Sequence, residues 1–264
     1  MFQKNRFMRK KTVYIIIGSV LALGAVFCLV KLAAMLYAPQ ASLTATINSE
    51  EETTGLTVAA DASAAAYVCP IDFEKLQSYN SDIYAWVYVE NTNINYPVVQ
   101  SPDDDSYYLT HNSDGEYSSA GSIFTEHEFN SKDFNDPVTV LYGHHMKSGV
   151  MFGYLQSYFT NDEFWDAEPV IAVYLPDRAL VYAVFAAVPY ESDHMLFNRD
   201  FNDEEVFTVF FDDILATTSN EARFHEEYAP EKGDKVIALS TCLNGNSNKR
   251  FVVFGKLVYD SSAQ

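Results

Sequence analysis

The sequence has few cysteines and no recognisable metal-binding motif. Only three cysteines occur in 264 residues, at positions 28, 69 and 242. There is no HExxH, no paired CxxC and no other spacing typical of metal ligands, so we expect no metal site. Cys28 lies inside an apolar segment. Cys69 and Cys242 could form one disulfide in an oxidising compartment, or each could stay a free thiol.

Positive charge is scarce beyond position 37. Residues 38–264 contain 11 Lys and Arg against 36 Asp and Glu, which gives a formal charge of −25. Nucleic acid binding needs a basic face, so this balance argues against a nucleic acid partner. The six basic residues at positions 1–37 are accompanied by no acidic residue. The acidic remainder fits a soluble domain outside the cytoplasm.

One long hydrophobic run lies near the N-terminus. Residues 12–37 are apolar over about the 20 residues that a membrane-spanning helix needs. Lys31 lies near the far end of the run, where its side chain can reach the interface. Five basic residues precede the run and place the N-terminus in the cytoplasm. We therefore predict a basic cytoplasmic tail at 1–11 and a transmembrane anchor at 12–37. A cleaved signal peptide is the alternative.

The rest of the chain divides into a tether and one domain. Residues 38–68 have few large apolar side chains, so we predict a flexible extracytoplasmic tether there. Residues 69–264 are expected to form the folded domain. The sequence contains 18 Tyr and 19 Phe, which suits a packed fold rich in β-strands.

The apolar pattern of the domain predicts about eight strands and a few helices. The fold class is therefore mainly β, with a closed eight-stranded barrel and peripheral helices. Three helices are expected. The first follows Cys69 and has Phe73, Leu76 and Tyr79 on one face, and the others lie over 149–165 and 202–218. The predicted strands lie at 84–100 (two strands around ENTN), 121–126, 137–143, 169–175, 178–190, 235–242 and 250–259.

Cys242 is the first candidate for chemistry. It follows the apolar run VIALST, and a cysteine at a strand end is held rigidly while opening onto the surface. A buried core cysteine is the competing interpretation. His144 also follows an apolar strand and a glycine, and an imidazole can stabilise a thiolate or relay its proton. If that segment is extended, the adjacent His145 points away.

Arg250 is the third candidate. The polar, turn-forming LNGNSNK joins the Cys242 run to the next apolar run, so these strands can be neighbours. A guanidinium near Cys242 could donate to the oxyanion that forms when a carbonyl is attacked. A solvated edge charge is the alternative. The other four histidines are predicted to lie on the surface: His111, His127, His194 and His225.

Two segments resemble the signatures of the sortases. LYGHHMKSGVMFGYL is similar to their histidine segment, and LSTC with KRFVVFGKL is similar to their cysteine and arginine segments. Sortases are membrane-tethered cysteine transpeptidases of Gram-positive bacteria. The resemblance extends over roughly 69–260. DIYAWVYVENTNINYPVVQ, YYLTHN, GSIF and the helix at 202–218 resemble class B sortases in particular.

The resemblance implies roles for individual residues. It implies that Cys242 is the nucleophile, His144 the general acid and base, and Arg250 the oxyanion- or substrate-stabilising residue. Ser240 and Leu109 correspond to substrate-pocket positions. No cofactor or calcium is implied.

The resemblance also implies substrates and location. The substrates would be secreted proteins with a C-terminal NPxTN-like or related Pro/Thr sorting motif. Cleavage after Thr gives a thioacyl enzyme, and a peptidoglycan amine accepts the protein. The enzyme would be a single-pass protein of the cell membrane with its catalytic domain outside.

Two other functions remain open on the sequence. One is another cell-wall cysteine acyl-transferase of the L,D-transpeptidase type, whose SxGC-style motif differs here at Thr241. The other is a non-catalytic surface adhesion or scaffold domain.

Overall fold

The computed structural model describes residues 67–263. The predicted cytoplasmic tail, the predicted anchor at 12–37, Cys28 and nearly all of the predicted tether lie outside these residues. Between residues 67 and 263, no helix has both the length and the apolar character needed to cross a bilayer.

Nine strands form one sheet in the described part of the chain. It closes because β5 pairs with both β1 and β6, in the order β5-β1-β2-β3-β4-β8-β9-β6, while β7 pairs outside with β6. The closed eight-stranded β-barrel confirms the predicted architecture. The two-residue β7 was not predicted. The strands are β1 Ile83–Val89, β2 Asn95–Val99, β3 Ile123–Phe124, β4 Val138–Tyr142, β5 Val170–Tyr174, β6 Ala179–Glu191, β7 Arg223–Phe224, β8 Val236–Leu243 and β9 Asn246–Asp260.

The sequence of β8 does not alternate between polar and apolar residues, because both of its faces are buried. Ile237 and Leu239 belong to one buried hydrophobic cluster, and Val236 and Ala238 to another. Successive side chains point to opposite faces of a strand, so both faces of β8 are covered. Burial of each large aliphatic side chain contributes about 1.5–3 kcal/mol to folding. This double burial makes the strand that ends at Cys242 a rigid support.

The longest helix covers the second cluster. It runs from Glu204 to Leu215 (α4), inside the predicted 202–218. The Asp203 side chain accepts from the N–H groups of Glu205 and Val206, which satisfies the first turn. Its buried face consists of three phenylalanines and one isoleucine: Phe207, Phe210, Phe211 and Ile214.

Three short helices complete the described chain. α1 is Phe73–Tyr79, α2 is Leu155–Phe159 and α3 is Asp162–Asp166. The single helix predicted over 149–165 is therefore two helices, because the Asn161 side chain caps α3 by accepting from the Phe164 N–H. Tyr79 was predicted on the buried face of α1, but it is 70% exposed. Two 3₁₀ turns lie at Tyr107–Leu109 and Glu226–Tyr228.

The two cysteines of the domain are not bonded to each other. Cys69 and Cys242 are both free thiols. The disulfide that the sequence left open is therefore absent from the described residues.

Candidate active site

Two parallel strands set the positions of His144 and Cys242. In the β4–β8 pair, Tyr142 lies beside Ser240, and the Gly143 N–H donates to the Ser240 carbonyl at 3.1 Å. Two residues further along, the chains reach His144 and Cys242. Residues two apart in an extended chain share a face, so the same register carries both side chains to one side of the barrel.

A groove of about 420 Å³ opens at that edge. Its lining includes all five residues predicted from the sequence: Cys242, His144, Arg250, Ser240 and Leu109. Cys242, His144 and Arg250 are half-buried, Ser240 is buried, and Leu109 is exposed. The structure thus brings the predicted site residues together.

Arg250 lies directly opposite Cys242 on the neighbouring antiparallel strand. Its Nη1 donates to the Cys242 Sγ at 3.7 Å. Only Asn244 and Gly245 separate β8 from β9. The LNGNSNK segment is therefore mostly strand, with a tight turn inside it. The polar turn brings the thiol and the guanidinium together, as its composition predicted.

His144 is oriented by a backbone carbonyl. Its Nε2 lies 2.8 Å from the Leu109 carbonyl oxygen. A carbonyl can only accept, so Nε2 carries the proton and Nδ1 is the accepting nitrogen of the neutral ring. Leu109, singled out from the sequence as a pocket residue, thus also holds the histidine through its backbone.

Two glycines allow this arrangement. Gly121 has φ +60°, and a Cβ there would lie 2.8 Å from the Leu109 carbonyl oxygen. A Cβ on Gly143 would lie 2.5 Å from the Ile123 Cδ1. Both distances are too short for a real side chain. At Gly143 the buried Phe152 ring also lies 2.6 Å from the Cβ position, so close packing beneath the groove favours glycine before His144.

A second histidine in the groove was not predicted. His194 was expected on the surface, but it lines the groove, and its Nε2 lies 2.8 Å from a carboxylate oxygen of Glu126. Its Nδ1 accepts from the Phe197 N–H at 3.0 Å. The proton must therefore sit on Nε2 and be donated to Glu126. The two residues are 68 positions apart in loops of irregular structure, so no local pattern could have revealed the pair.

Burial changes the pKa of two groups here, the Glu126 carboxyl and the Tyr142 hydroxyl. Burial raises the pKa of Glu126, and the neighbouring His194 opposes that rise. Burial, reinforced by Glu126, also raises the pKa of Tyr142. The Tyr142 hydroxyl is buried and makes no hydrogen bond within residues 67–263 that meets ordinary geometry. This wall of the groove is thus polar but closely packed.

His145 differs from its neighbour His144. It forms an isolated β-bridge with Met151, and it is absent from the residues that line the groove. Burial lowers its pKa, so its neutral form is favoured. The two adjacent histidines therefore occupy different environments, as expected for consecutive residues of an extended chain.

One cluster beside the groove has the composition of a metal site. Asp105, His127 and Glu128 offer ligand atoms within 4.8 Å of one another. The Asp105 carboxylate already accepts from the His127 N–H at 2.6 Å and the Glu128 N–H at 3.3 Å, and it contacts the His127 Nδ1 at 2.5 Å. These internal hydrogen bonds account for the cluster without an ion.

The groove combines the groups that acyl transfer by a cysteine requires. It holds a thiol, an imidazole nitrogen able to accept a proton, and a guanidinium within reach of the sulfur. Nucleophilic catalysis needs an activated nucleophile, a proton-transfer partner and donors aimed at developing negative charge. The arrangement is therefore suited to attack on a carbonyl carbon.

Comparison with known proteins agrees with this chemistry. The sortase domain family matches residues 87–258. Sortase B of Listeria monocytogenes serovar 1/2a (strain ATCC BAA-679 / EGD-e) is 33% identical over 189 residues, covering 71% of this chain and 74% of that protein.

Solved structures give the same result. The crystal structure of sortase B from B. anthracis in complex with AAEK2 is 32% identical with a TM-score of 0.60, covering 70% of this chain and 82% of that one. A Staphylococcus aureus sortase B–substrate complex is 28% identical with a TM-score of 0.60, covering 70% of this chain and 84% of that one.

Proposed function

This chain belongs to class B of the sortase family, and we propose that it cleaves an NPxTN-like or related Pro/Thr sorting motif after Thr and transfers the protein to a peptidoglycan amine. Cysteine transpeptidation is the chemistry of this class. The observation that carries the proposal is the contact of 3.7 Å between the Arg250 Nη1 and the Cys242 Sγ, beside His144 in one groove.

Cys242 is the proposed nucleophile. Its sulfur attacks the carbonyl carbon of the Thr in the sorting motif, and the thiol proton passes to His144. The tetrahedral intermediate collapses to a thioester, and the C–N bond to the next residue breaks. The half-buried position of Cys242 supports this role, because the side chain is held by β8 and still lines the groove.

His144 is the proposed proton carrier. With Nε2–H held by the Leu109 carbonyl, Nδ1 is the nitrogen that takes the thiol proton and delivers it to the leaving amine. The same nitrogen then removes a proton from the incoming amine, which attacks the thioester and releases Cys242. The carbonyl continues to accept from Nε2–H in both protonation states, so the ring keeps its orientation.

Arg250 is the proposed stabiliser of the oxyanion or of the substrate backbone. A guanidinium offers several donors in a fixed plane, so one N–H can stay near the sulfur while another faces the substrate. Removal of one such donor typically costs about 10²–10³ in kcat. Ser240, buried two residues before Cys242, and Leu109 on the exposed rim are proposed to contact the motif.

The substrates set the proposed location. Secreted proteins with a C-terminal sorting signal are the proposed clients, and cell-wall peptidoglycan or its precursor provides the amine. An anchor at 12–37 with a cytoplasmic N-terminus would hold the catalytic domain outside the membrane of a Gram-positive cell. The net negative charge of residues 38–264 supports an extracytoplasmic domain.

The test uses the full-length chain and a quenched peptide that carries an NPxTN-like motif. Cys242→Ala should abolish cleavage, and Arg250→Ala should lower kcat by about 10²–10³. Cys69→Ala is the matched control, because Cys69 is also a free thiol but is absent from the groove lining. If Cys242→Ala keeps wild-type turnover, the proposed mechanism is wrong. Mass spectrometry of the thioacyl enzyme gives an independent readout.

A further inference from the structure

The regular β8–β9 ladder changes directly after the nucleophile. Cys242 faces Arg250, but the next residue, Leu243, faces Asn246. The register of the ladder therefore shifts between Cys242 and Leu243. The turn at Asn244 and Gly245 lies beyond this irregularity, so the continuous ladder that holds Cys242 does not hold the turn.

Another contact fixes the turn. The Oε1 of Gln156, in α2, accepts from the Asn244 N–H at 3.0 Å. The Nε2 of the same side chain donates to the Glu221 Oε1 at 2.8 Å. Gln156 is only 8% exposed. A buried amide is tolerated when its polar atoms are bonded, and here both ends have a partner.

Glu221 decides which way the amide faces. A carboxylate can only accept, so it binds the NH₂ end of Gln156 and leaves the carbonyl end for Asn244. The three groups form a relay from Glu221 through Gln156 to the backbone two residues after Cys242. Gln156 is also absent from the residues that line the groove. Its side-chain hydrogen bond nearest to Cys242 along the chain is the one to the Asn244 N–H.

We propose that Gln156 is a positioning residue for Cys242, oriented by Glu221 and acting through the Asn244 N–H to hold the sulfur beside Arg250. This role rests on the proposed function of Cys242. Cys242 and Arg250 form the last regular pair of the ladder, so this pair is the one most sensitive to a displacement of the turn. A displacement of about 1 Å far from the reacting atoms can lower turnover about 100-fold.

The central test replaces the amide in two ways in the full-length chain. Gln156→Leu removes both hydrogen bonds, and Gln156→Glu keeps an acceptor for Asn244 but sets two carboxylates against each other. Both should lower kcat about 10- to 100-fold and leave KM for the peptide within about 2-fold. The swap Gln156→Glu with Glu221→Gln restores one donor between these side chains, and it should return kcat to within about 3-fold of wild type.

A second readout needs no peptide. The rate at which iodoacetamide alkylates Cys242 is measured across pH, with peptide mapping to separate Cys242 from Cys28 and Cys69. We expect a changed rate profile in both single variants and recovery in the swap. If the wild-type chain cleaves no sorting peptide, the proposed function is wrong. The alkylation rates of Cys242 still test the role of Gln156 in that case, because they need no peptide.

Gln77→Leu is the matched control. Gln77 is exposed, and its Nε2 donates to the Ile83 carbonyl in another part of the barrel. It should leave kcat and alkylation unchanged. The inference is overturned if both Gln156 variants keep the wild-type kcat and alkylation profile. It is also overturned if the swap restores the melting temperature but neither kcat nor alkylation.

Discussion

Two histidines line the groove, and their rings are bound differently. His144 donates from Nε2 to the Leu109 carbonyl, and no hydrogen bond is found for its Nδ1 within residues 67–263. His194 donates from Nε2 to Glu126 and accepts at Nδ1 from the Phe197 N–H. One ring keeps a nitrogen for proton exchange, and the other has both nitrogens engaged.

This comparison shows that a histidine in a groove is not by itself a catalytic group. A proton carrier needs one nitrogen fixed for orientation and one left for the substrate. His194 has the carboxylate partner that many catalytic histidines have. Its second nitrogen, Nδ1, already accepts a hydrogen bond from the Phe197 backbone N–H. We therefore interpret His194 as a structural part of the groove lining, and His144 remains the proposed proton carrier.

The largest expected effect separates the two histidines. His144→Ala should lower kcat for the sorting peptide by about 10²–10⁴, the usual contribution of general acid–base catalysis. His194→Ala, the matched variant of the second histidine, should change kcat less than about 10-fold. Steady-state kinetics on the full-length chain measures both. Equal losses in the two variants would contradict the division of roles.

A smaller effect is expected when the support beneath His144 is disturbed. Gly121→Ala places a methyl group 2.6 Å from the Tyr108 carbonyl oxygen and 2.8 Å from the Leu109 carbonyl oxygen, at a positive φ. The Leu109 carbonyl must move, so the orientation of His144 is lost and kcat should fall about 10- to 100-fold. Gly233→Ala is the control, because Gly233 also has a positive φ but nothing lies within 4 Å of its Cβ position. A similar loss of kcat in the control would show that backbone strain alone explains the result.

The part of the groove lining around His194 can be loosened through Arg199. Its Nη2 donates to Asp193 at 2.8 Å, and its Nη1 donates to the carbonyls of His194 and Met195. Asp193, His194 and Met195 all line the groove. Arg199→Met should therefore raise KM about 10-fold, equal to about 1.4 kcal/mol of binding, and leave kcat within about 3-fold.

Arg223→Met is the control for Arg199. Arg223 makes a similar set of contacts, to Asp162 and to the Thr160 carbonyl, but it is absent from the groove lining. Its replacement should lower stability without a change in KM. If Arg199→Met lowers kcat and leaves KM unchanged, this part of the groove lining contributes to the chemistry and the comparison must be revised.

The smallest effect concerns Glu126 and pH. Burial raises its pKa above 4.5 in the folded protein, so the folded state binds a proton more tightly than the unfolded chain. The contribution of Glu126 to stability is therefore lost as pH rises through the interval between 4.5 and the raised pKa. Glu126→Gln removes this loss. The free energy of unfolding of the variant minus that of wild type should rise across the interval, as measured by denaturant titration. A level or falling difference contradicts the prediction.

Much of the fold could be predicted because local patterns dictate it. The apolar runs predicted as strands at 137–143 and 235–242 are strands in the structure, and the face that carries Phe207 and Phe211 is a buried helix face. The errors occur where tertiary contacts override the pattern. Tyr79 follows the helical period of α1, but nothing covers that end of the face. The Asn161 cap divides a segment whose apolar period alone is continuous.

The candidate site could be predicted in part for the same reason. Cys242 and Arg250 are linked by a short polar turn, so their proximity is encoded locally. The contacts of His194 with Glu126 and of Gln156 with Asn244 join loops and elements 68 and 88 residues apart. The sequence shows no periodic pattern that links residues so far apart. They come into contact only when the barrel closes. The part of the groove lining around His194 was therefore missed.

The parallel pairing of β4 and β8 has a consequence for protein engineering. From Val138 beside Val236 to Tyr142 beside Ser240, the two strands run in step, and the pairing does not depend on the length of the chain between them. A longer or shorter segment grafted between β6 and α4, where Ser192, Asp193 and Met195 line the groove, should leave His144 and Cys242 on the same side of the barrel. Deletion of a single residue within β8 would turn the thiol to the opposite face. Loop exchange is thus a route to altered substrate choice that leaves the reacting pair in place.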